Sequence, residues 1–212
     1  MYKLILPLLA ISAQCAISGT GNASYDTNPD GYGKCSFPAG YSTYFTGVGP
    51  SVFAGSASCG ACIEVTNPKN NKSVIVRVSD QCAGCGAGDL NLNKPAFEQI
   101  GDPFDGRIPV TWKEVKCNNT PGNLVYQWWA GSNRWWAAVQ VRNHAQAITK
   151  LEVFDGAQWK QMSRREDNYF VVSGVGAGPL KVKLTGTDGK TVEDAAIPIL
   201  EAGGPVTSSG QL

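Results

Sequence analysis

Cysteine placement sets the first limit on how this chain can fold. Seven cysteines occur in 212 residues, and one of them, Cys15, sits in a leader-like N-terminus. The other six, Cys35, Cys59, Cys62, Cys82, Cys85 and Cys117, all precede residue 118. An even set confined to one half predicts a disulfide-bearing first domain ending near Cys117, with a cysteine-free second domain after it. Thr120-Pro121-Gly122-Asn123 reads as a turn-rich linker between the two. Cys59-x-x-Cys62 and Cys82-x-x-Cys85 also have the spacing of a four-cysteine zinc site. Secretion into an oxidising environment, and the need of Cys35 and Cys117 for partners, favour disulfides instead. Six cysteines allow fifteen pairings, and spacing alone does not choose among them.

The secretion inference comes from the first residues. Met1-Tyr2-Lys3 supplies a positive start, Leu4–Ile11 an apolar run and Ser12–Ala16 small residues, the pattern of a cleaved signal over 1–18 with a cut between 13 and 19. The run is too short to span a bilayer, and Gln14 stands where a lipid anchor on Cys15 would need a small residue. The net charge of +1 gives no reason to expect nucleic acid or an anionic membrane surface as a partner. Beyond the leader, short alternating runs are separated by turns and helical patterns are scarce. This is the profile of an all-β protein.

Polar chemistry concentrates in Val78–Gly101, VSDQCAGCGAGDLNLNKPAFEQIG. The stretch starts at the end of a β-branched strand, Val74–Val78, whose alternation suits a half-buried sheet edge. Ile63–Thr66 forms a hairpin with that strand over Pro68–Asn71. Asp80 to Gly88 is a Cys- and Gly-rich loop. In Asp89–Leu92 the two leucines face one side, and Asp89 and Asn91 the other. Asn93 is placed to cap a short helix, with Pro95 in its first turn and Gly101 past its end. Asp80 and Asp89/Asn91 are thus brought towards each other around one loop. Plain roles exist beside the functional ones: Asp80 as a cap on backbone N–H groups, Asn91 as a structural amide. Ser24 lies in a short extended piece with Tyr25 and in the sequon of Asn22; Asn71 and Asn118 head two other sequons. Ile108–Val115 alternates again before Cys117. The lone histidine, His144, reads as structural, which weakens any Ser–His triad and leaves no His-based metal site.

Residues 124–200 read as seven short strands: Leu124–Trp128, Trp135–Arg142, Ile148–Phe154, Trp159–Met162, Tyr169–Val172, Leu180–Thr185 and Thr191–Ile197. An immunoglobulin-like sandwich fits them, and the Gly/Ser/Pro-rich segment 201–212 reads as a flexible tail. Trp128, Trp129, Trp135, Trp136 and Trp159 fall in this half. With Val139 and Val141 on the core face and Gln140 and Arg142 in solvent, alternation turns Trp135 inward and Trp136 outward. An exposed row of indoles suits the C–H faces of sugars. Trp159 reads as core.

The order Ala23-Ser24-Tyr25, Cys35, CGACIEV, VSDQC, GDLNL–AF and VTWKEVKC resembles the first domain of the expansin family, in particular its microbial, fungal and loosenin-like members. NRWWAAVQVRNH resembles the family's second, cellulose-binding domain. The likeness covers essentially the whole chain after the leader. It implies a six-stranded double-psi β-barrel over 19–119, related to family 45 endoglucanases, and an immunoglobulin-like carbohydrate-binding sandwich over 124–200. It also implies the pairings Cys35–Cys59, Cys62–Cys117 and Cys82–Cys85. In the family a Thr, an Asp at a strand end and a second Asp form a polar cluster on an open groove. Asp80 matches the first Asp, Ser24 keeps the hydroxyl of the Thr, and Asn91 stands where the second Asp is usual. An amide hydrogen-bonds but neither donates nor accepts a proton at ordinary pH. Asp89 lies on the same face, displaced by about 7 Å along the strand. For the family's sugar platform, Trp135 and Trp136 match directly, Tyr169 stands two residues past the usual tyrosine position, Trp129 extends the row, and Tyr25 joins the sugar-binding set.

The resulting expectation is a secreted, extracellular, monomeric wall-loosening protein that does not hydrolyse its substrate. Its partner is a polysaccharide (cellulose, xylan or chitin), without nucleic acid, membrane, cofactor or metal. Inverting hydrolysis needs an acid and a second carboxylate roughly 6.5–9.5 Å apart, and Asp80 and Asp89 alone are available for it. A weak endoglucanase using that pair, and a carbohydrate-binding protein with an inert barrel, are the competing expectations.

Overall fold

Alternating apolar residues close the first half of the chain into a barrel. Its strands are β1 (Ser18–Asp26), β2 (Phe45–Val48), β3 (Cys62–Asn67), β4 (Lys72–Gln81), β5 (Leu90–Asn93) and β6 (Ile108–Val115). They run around the closed barrel in the order β1-β5-β2-β4-β3-β6. The pairings β1–β5 and β2–β4 are parallel and the others antiparallel, which gives the double-psi crossing. Ile63, Val65, Val76, Val78, Leu90, Leu92 and Val110 fill the interior. The computed structural model describes residues 17–28, 30–118 and 120–212, so the leader up to residue 16 lies outside the described residues. β1 takes in Ser18, paired with Lys113, one residue earlier than the expected start of the domain.

Closure bears on one expectation. Within β4, Val74–Arg77 pair with β3, whereas β2 pairs only from Arg77 onward, so Val74–Val76 do form an edge on the β2 side and the strand is enclosed only at its end. The helix after β5, here α2 after the short α1 (Pro50–Phe53), runs Lys94–Ile100 with Pro95 in its first turn. Asn93 holds the N-cap position, but its side chain does not cap. It accepts from Phe45 N at 3.1 Å and donates to Thr43 O at 2.9 Å, tying β5 to β2. Disulfides join Cys35 to Cys59, Cys62 to Cys117 and Cys82 to Cys85. Closing loops of 24 and 55 residues restricts the unfolded chain, worth about 3–4 kcal/mol per bond in the chain-entropy account.

The second half is a sandwich. β7 (Val125–Trp128), β8 (Trp136–Arg142), β11 (Ser163–Arg164), β12 (Phe170–Ser173) and β15 (Gly204–Thr207) make a five-stranded sheet ordered β11-β12-β8-β7-β15. β9 (Ile148–Phe154), β10 (Trp159–Gln161), β13 (Leu180–Gly186) and β14 (Thr191–Ile197) make the four-stranded sheet β10-β9-β13-β14. Segment 201–212 is not a flexible tail. β15 pairs with β7, Ser208 Oγ donates to Asp194 Oδ2 at 2.6 Å, and Leu212 joins the core. Its Gly, Ser and Pro residues carry backbone and hydroxyl bonds, which composition alone does not register. Trp159 is not core either. It lies half-buried on the outer face beside Phe154, with Lys183 Nζ 4.0 Å from its ring centroid, a cation–π contact.

The outer face of the five-stranded sheet packs against the barrel, and this explains a further departure. Gln140 belongs to the face away from Val139 and Val141, yet it is fully buried. Its Nε2 donates to Cys35 O at 2.8 Å, and Asn168 Nδ2 donates to the same carbonyl at 3.2 Å. Ser56 Oγ reaches Arg165 O at 2.7 Å, Asn143 N reaches Tyr41 Oη at 2.6 Å, and Thr187 Oγ1 reaches Glu114 Oε1 at 3.0 Å. His144 is buried in this seam against Gly60, with Nδ1 2.6 Å from Gln146 O.

Burial, with the nearby Arg77 charge, pushes the His144 pKa down to about 3 from its ordinary value. Below pH ~6.5 the unfolded chain therefore takes up a proton that the folded protein refuses, and stability falls as pH falls, by about 1.4 kcal/mol per unit. Between pH 6.5 and 5 the loss should reach about 2 kcal/mol. Thermal unfolding across that range checks it, with His144→Gln expected to flatten the dependence while lowering stability at neutral pH.

Candidate functional site

Strand register places the groove residues in one lateral row. Ser24 on β1 pairs with Asn91 on β5, Asn91 with Gly47 on β2, and Gly47 with Asp80 on β4. The β2–β4 register shifts between Thr46 and Gly47; this bulge brings Asp80, rather than Ser79, beside Gly47. With strands about 4.8 Å apart, Asn91 and Asp80 flank a gap where Gly47 contributes no side chain. A narrow recess of about 20 Å³, room for about one water, is lined there by Asp26, Gly47, Asp80 and Asn91, with Tyr32 at its rim.

Asp26 is the residue that sequence reasoning missed. Ser24 Oγ donates to Asn91 Oδ1 at 3.1 Å, and Asn91 Nδ2 donates to Asp26 Oδ2 at 2.9 Å. Asp26 Oδ1 accepts from Asn28 N at 3.0 Å. The alternation of β1 could have found it, since Asp26 shares the face of Ser24 two residues on. The same alternation removes Tyr25 from the groove. Tyr25 packs on the opposite face with its ring centroid 5.0 Å from that of Phe97, and its hydroxyl donates to Pro103 O at 3.3 Å.

The two acids weighed for hydrolysis are both committed. Asp80 Oδ1 accepts Lys34 N at 2.6 Å and Gln81 N at 2.8 Å. Gly33 lies so close that an added Cβ would stand 2.5 Å from the Asp80 Cβ. Asp80 thus caps backbone groups while also lining the recess. Asp89 turns elsewhere: Oδ1 accepts Asn22 N at 2.8 Å and Oδ2 accepts Arg107 Nη2 at 2.8 Å. The Asn22 N–H bond, helped by the Arg107 charge, holds its pKa below the ordinary value. An acid held ionised is no proton donor, so Asp89 does not stand in for the carboxyl absent at position 91.

On the sandwich, both tryptophans of the pair are exposed, Trp135 at 72% and Trp136 at 37%. The expected inward turn of Trp135 fails because β8 begins only at Trp136. Trp135 lies in the preceding turn, where Asn133 Oδ1 accepts both Trp135 N and Trp136 N, at 2.9 and 3.2 Å. Trp129 is 45% exposed, and Tyr169 only 7%. Tyr169 therefore lies beneath the exposed aromatic surface rather than on it: it meets the Trp129 ring edge-on at 5.1 Å. Burial pushes its hydroxyl pKa up against the opposing pull of Arg142, with Asp167 and the barrel's Tyr32 adding to the rise.

These contacts separate two substitutions at one position. Asp80→Asn keeps an oxygen for Lys34 N and Gln81 N, so thermal stability should stay within about 0.5 kcal/mol of wild type. Asp80→Ala removes both bonds from N–H groups that water can reach and should cost about 1–1.5 kcal/mol. Denaturant unfolding of the two variants measures the difference.

Comparison with known proteins agrees with this architecture. A family model described as the Barwin family matches residues 8–117, and one for the expansin C-terminal domain matches 129–198. Expansin-YoaJ of Bacillus subtilis is 38% identical over 148 residues, 70% of this chain and 62% of that protein's length. Expansin-like protein 1 of Dictyostelium discoideum is 25% identical over 227 residues, 98% of this chain and 78% of its own. The crystal structure of the apo expansin of Clavibacter michiganensis superposes with a TM-score of 0.82 at 31% identity, covering 92% of this chain and 98% of that one. A point mutant of that expansin, solved in complex with cellohexaose, matches over the same shares with the same TM-score at 32% identity. The barrel, the sandwich and the order in which they follow one another are those of the expansin family, to which this chain belongs.

Proposed function

We propose that this protein is secreted, binds a β-linked wall glucan and loosens its non-covalent contacts without cutting it. The row Ser24–Asn91–Gly47–Asp80 carries the reading, because its centre holds an amide and a glycine where hydrolysis would need a proton donor. Exposed Trp135, Trp136 and Trp129 supply flat apolar area for stacking on sugar rings. The barrel row supplies hydrogen-bonding groups for the hydroxyls of a single chain. Loosening needs no chemical step on this account. A groove that fits a twisted or separated chain better than a packed one shifts the population towards separated chains by that difference in affinity. The complex of the Clavibacter michiganensis relative with cellohexaose supports cellulose as the polymer, with xylan and chitin as the comparison substrates.

Two competitors are distinguished by experiment. The endoglucanase reading is weakened by the ion pair of Asp89 with Arg107. The inert-barrel reading predicts binding without weakening. The test joins mechanical weakening of cellulose paper to soluble-sugar release from amorphous cellulose. Weakening with no sugar released is expected; released sugar would replace this reading with the hydrolase, and binding alone with the inert barrel. For the platform, Trp135→Ala and Trp136→Ala should each lower cellulose affinity about fivefold, roughly 1 kcal/mol. Trp159→Ala should leave pull-down binding unchanged.

A further inference from the structure

We propose that Asp26 is the second carboxylate of the barrel groove and that, through Asn91, it sets the hydrogen-bonding polarity with which the groove meets a glucan hydroxyl. The inference rests on the groove reading above and adds a residue to it. The bonds run one way, from the Ser24 hydroxyl to Asn91 Oδ1, and from Asn91 Nδ2 to Asp26 Oδ2. Turning the amide over would set its oxygen against a carboxylate oxygen, two acceptors face to face. Asp26 therefore decides which way Asn91 points, and Asn91 Oδ1 is the nearer of two acceptors for the Ser24 proton, at 3.1 Å against 3.5 Å for Leu90 O. With that proton committed, Ser24 offers lone pairs to a sugar hydroxyl. Asp26 has spent one lone pair on each of its oxygens, on Asn28 N and on Asn91 Nδ2, and about two of its four acceptor positions remain. Across the gap at Gly47, Asp80 Oδ2 accepts no hydrogen bond among the described residues. Acceptors thus stand on both sides of a floor without a side chain, an arrangement suited to a chain rich in hydroxyl donors.

This placement gives Asn91→Asp an unusual consequence. The new carboxylate would meet that of Asp26 at about 3 Å, where two like charges cannot both be tolerated, and the pair would hold one proton to higher pH. Exchanging the two, Asp26→Asn with Asn91→Asp, keeps one carboxylate and one amide and merely reverses the bond between them.

The four proteins, wild type, Asp26→Asn, Asn91→Asp and the exchanged double variant, are compared for cellohexaose affinity by calorimetry from pH 5 to 8. A Trp129→Ala/Trp135→Ala/Trp136→Ala background lets the groove be read alone. Asp26→Asn should weaken binding about tenfold. Asn91→Asp should bind with a pH dependence absent from wild type, and ¹³C carboxyl titration should show its shared proton. The exchanged protein should recover to within about threefold of wild type with a flat profile. Wild-type affinity in Asp26→Asn, an exchanged protein as weak as Asp26→Asn, or no cellohexaose binding in the platform-free background would each overturn the assignment. Paper weakening separates it from the reading beneath it. A wild type that fails to weaken paper while the affinities follow this order overturns loosening and leaves Asp26 in place. Equal weakening by wild type and Asp26→Asn overturns Asp26 alone.

Discussion

One carbonyl joins the two domains. Cys35 O accepts from Gln140 and from Asn168, both buried and both belonging to the sandwich. Cys35 is itself tied to Cys59, and both are buried in the core of the barrel domain. A buried amide that loses its partner costs about 1–3 kcal/mol, so the sandwich cannot slide without stranding two of them together. Lys34 with Glu166, Ser56 with Arg165 O and Glu114 with Thr187 add contacts around the same seam. The exposed ion pair adds little; the buried amides define the docked position.

Fixed docking bears on the proposed activity because the two surfaces proposed to meet sugar, the groove and the tryptophans, lie on different domains. Trp136 continues the sheet face that carries Gln140, beyond the point where the barrel covers it. Tyr32 lines the barrel recess, and Tyr169 meets the Trp129 ring edge-on on the sandwich. On the proposed reading, a polymer held on the tryptophans would be presented to the groove at a distance set by the docked seam. A second contact made from the same rigid body is intramolecular and needs little affinity of its own. This suits a groove whose recess is small and whose side chains are few.

Where one physical rule governed a segment, the sequence was legible. β6, β9 and β14 fall where alternation put them, and the hairpin turn at Pro68–Asn71 lies between β3 and β4. Alternation separates Asn91 from the buried Leu90 and Leu92, but only geometry shows that Asp89 is taken by Asn22 and Arg107. Failures arose where a second surface intervened. Gln140 looks solvent-facing until the barrel is set against its sheet. Segment 201–212 looks disordered until β7 and Asp194 are present to receive its N–H and O–H groups. Trp135 continues the alternation of β8 in sequence, yet it belongs to a turn fixed by Asn133. The disulfide pairing could come only from likeness to known chains, since spacing left fifteen choices open.

The amide at position 91 looks like a loss only if the groove is judged as a hydrolase. Cleavage requires a group that releases a proton to the leaving oxygen at the working pH and another that directs water from the opposite side. In this groove Asp80 and Asp26 accept backbone N–H bonds, Asp26 also accepts from Asn91, and Asp89 is paired with Arg107. No carboxyl faces Gly47 from position 91, the centre of the row. Gripping a hydroxyl is a different task. It needs acceptors and donors at fixed angles in a site too narrow for bulk water, and a carboxamide provides both from one planar group. Asp26 supplies the charge that orients this amide without occupying its place. On the proposed reading, such a barrel keeps contacts that recognise a glucan while lacking, at position 91, the proton that would cut it.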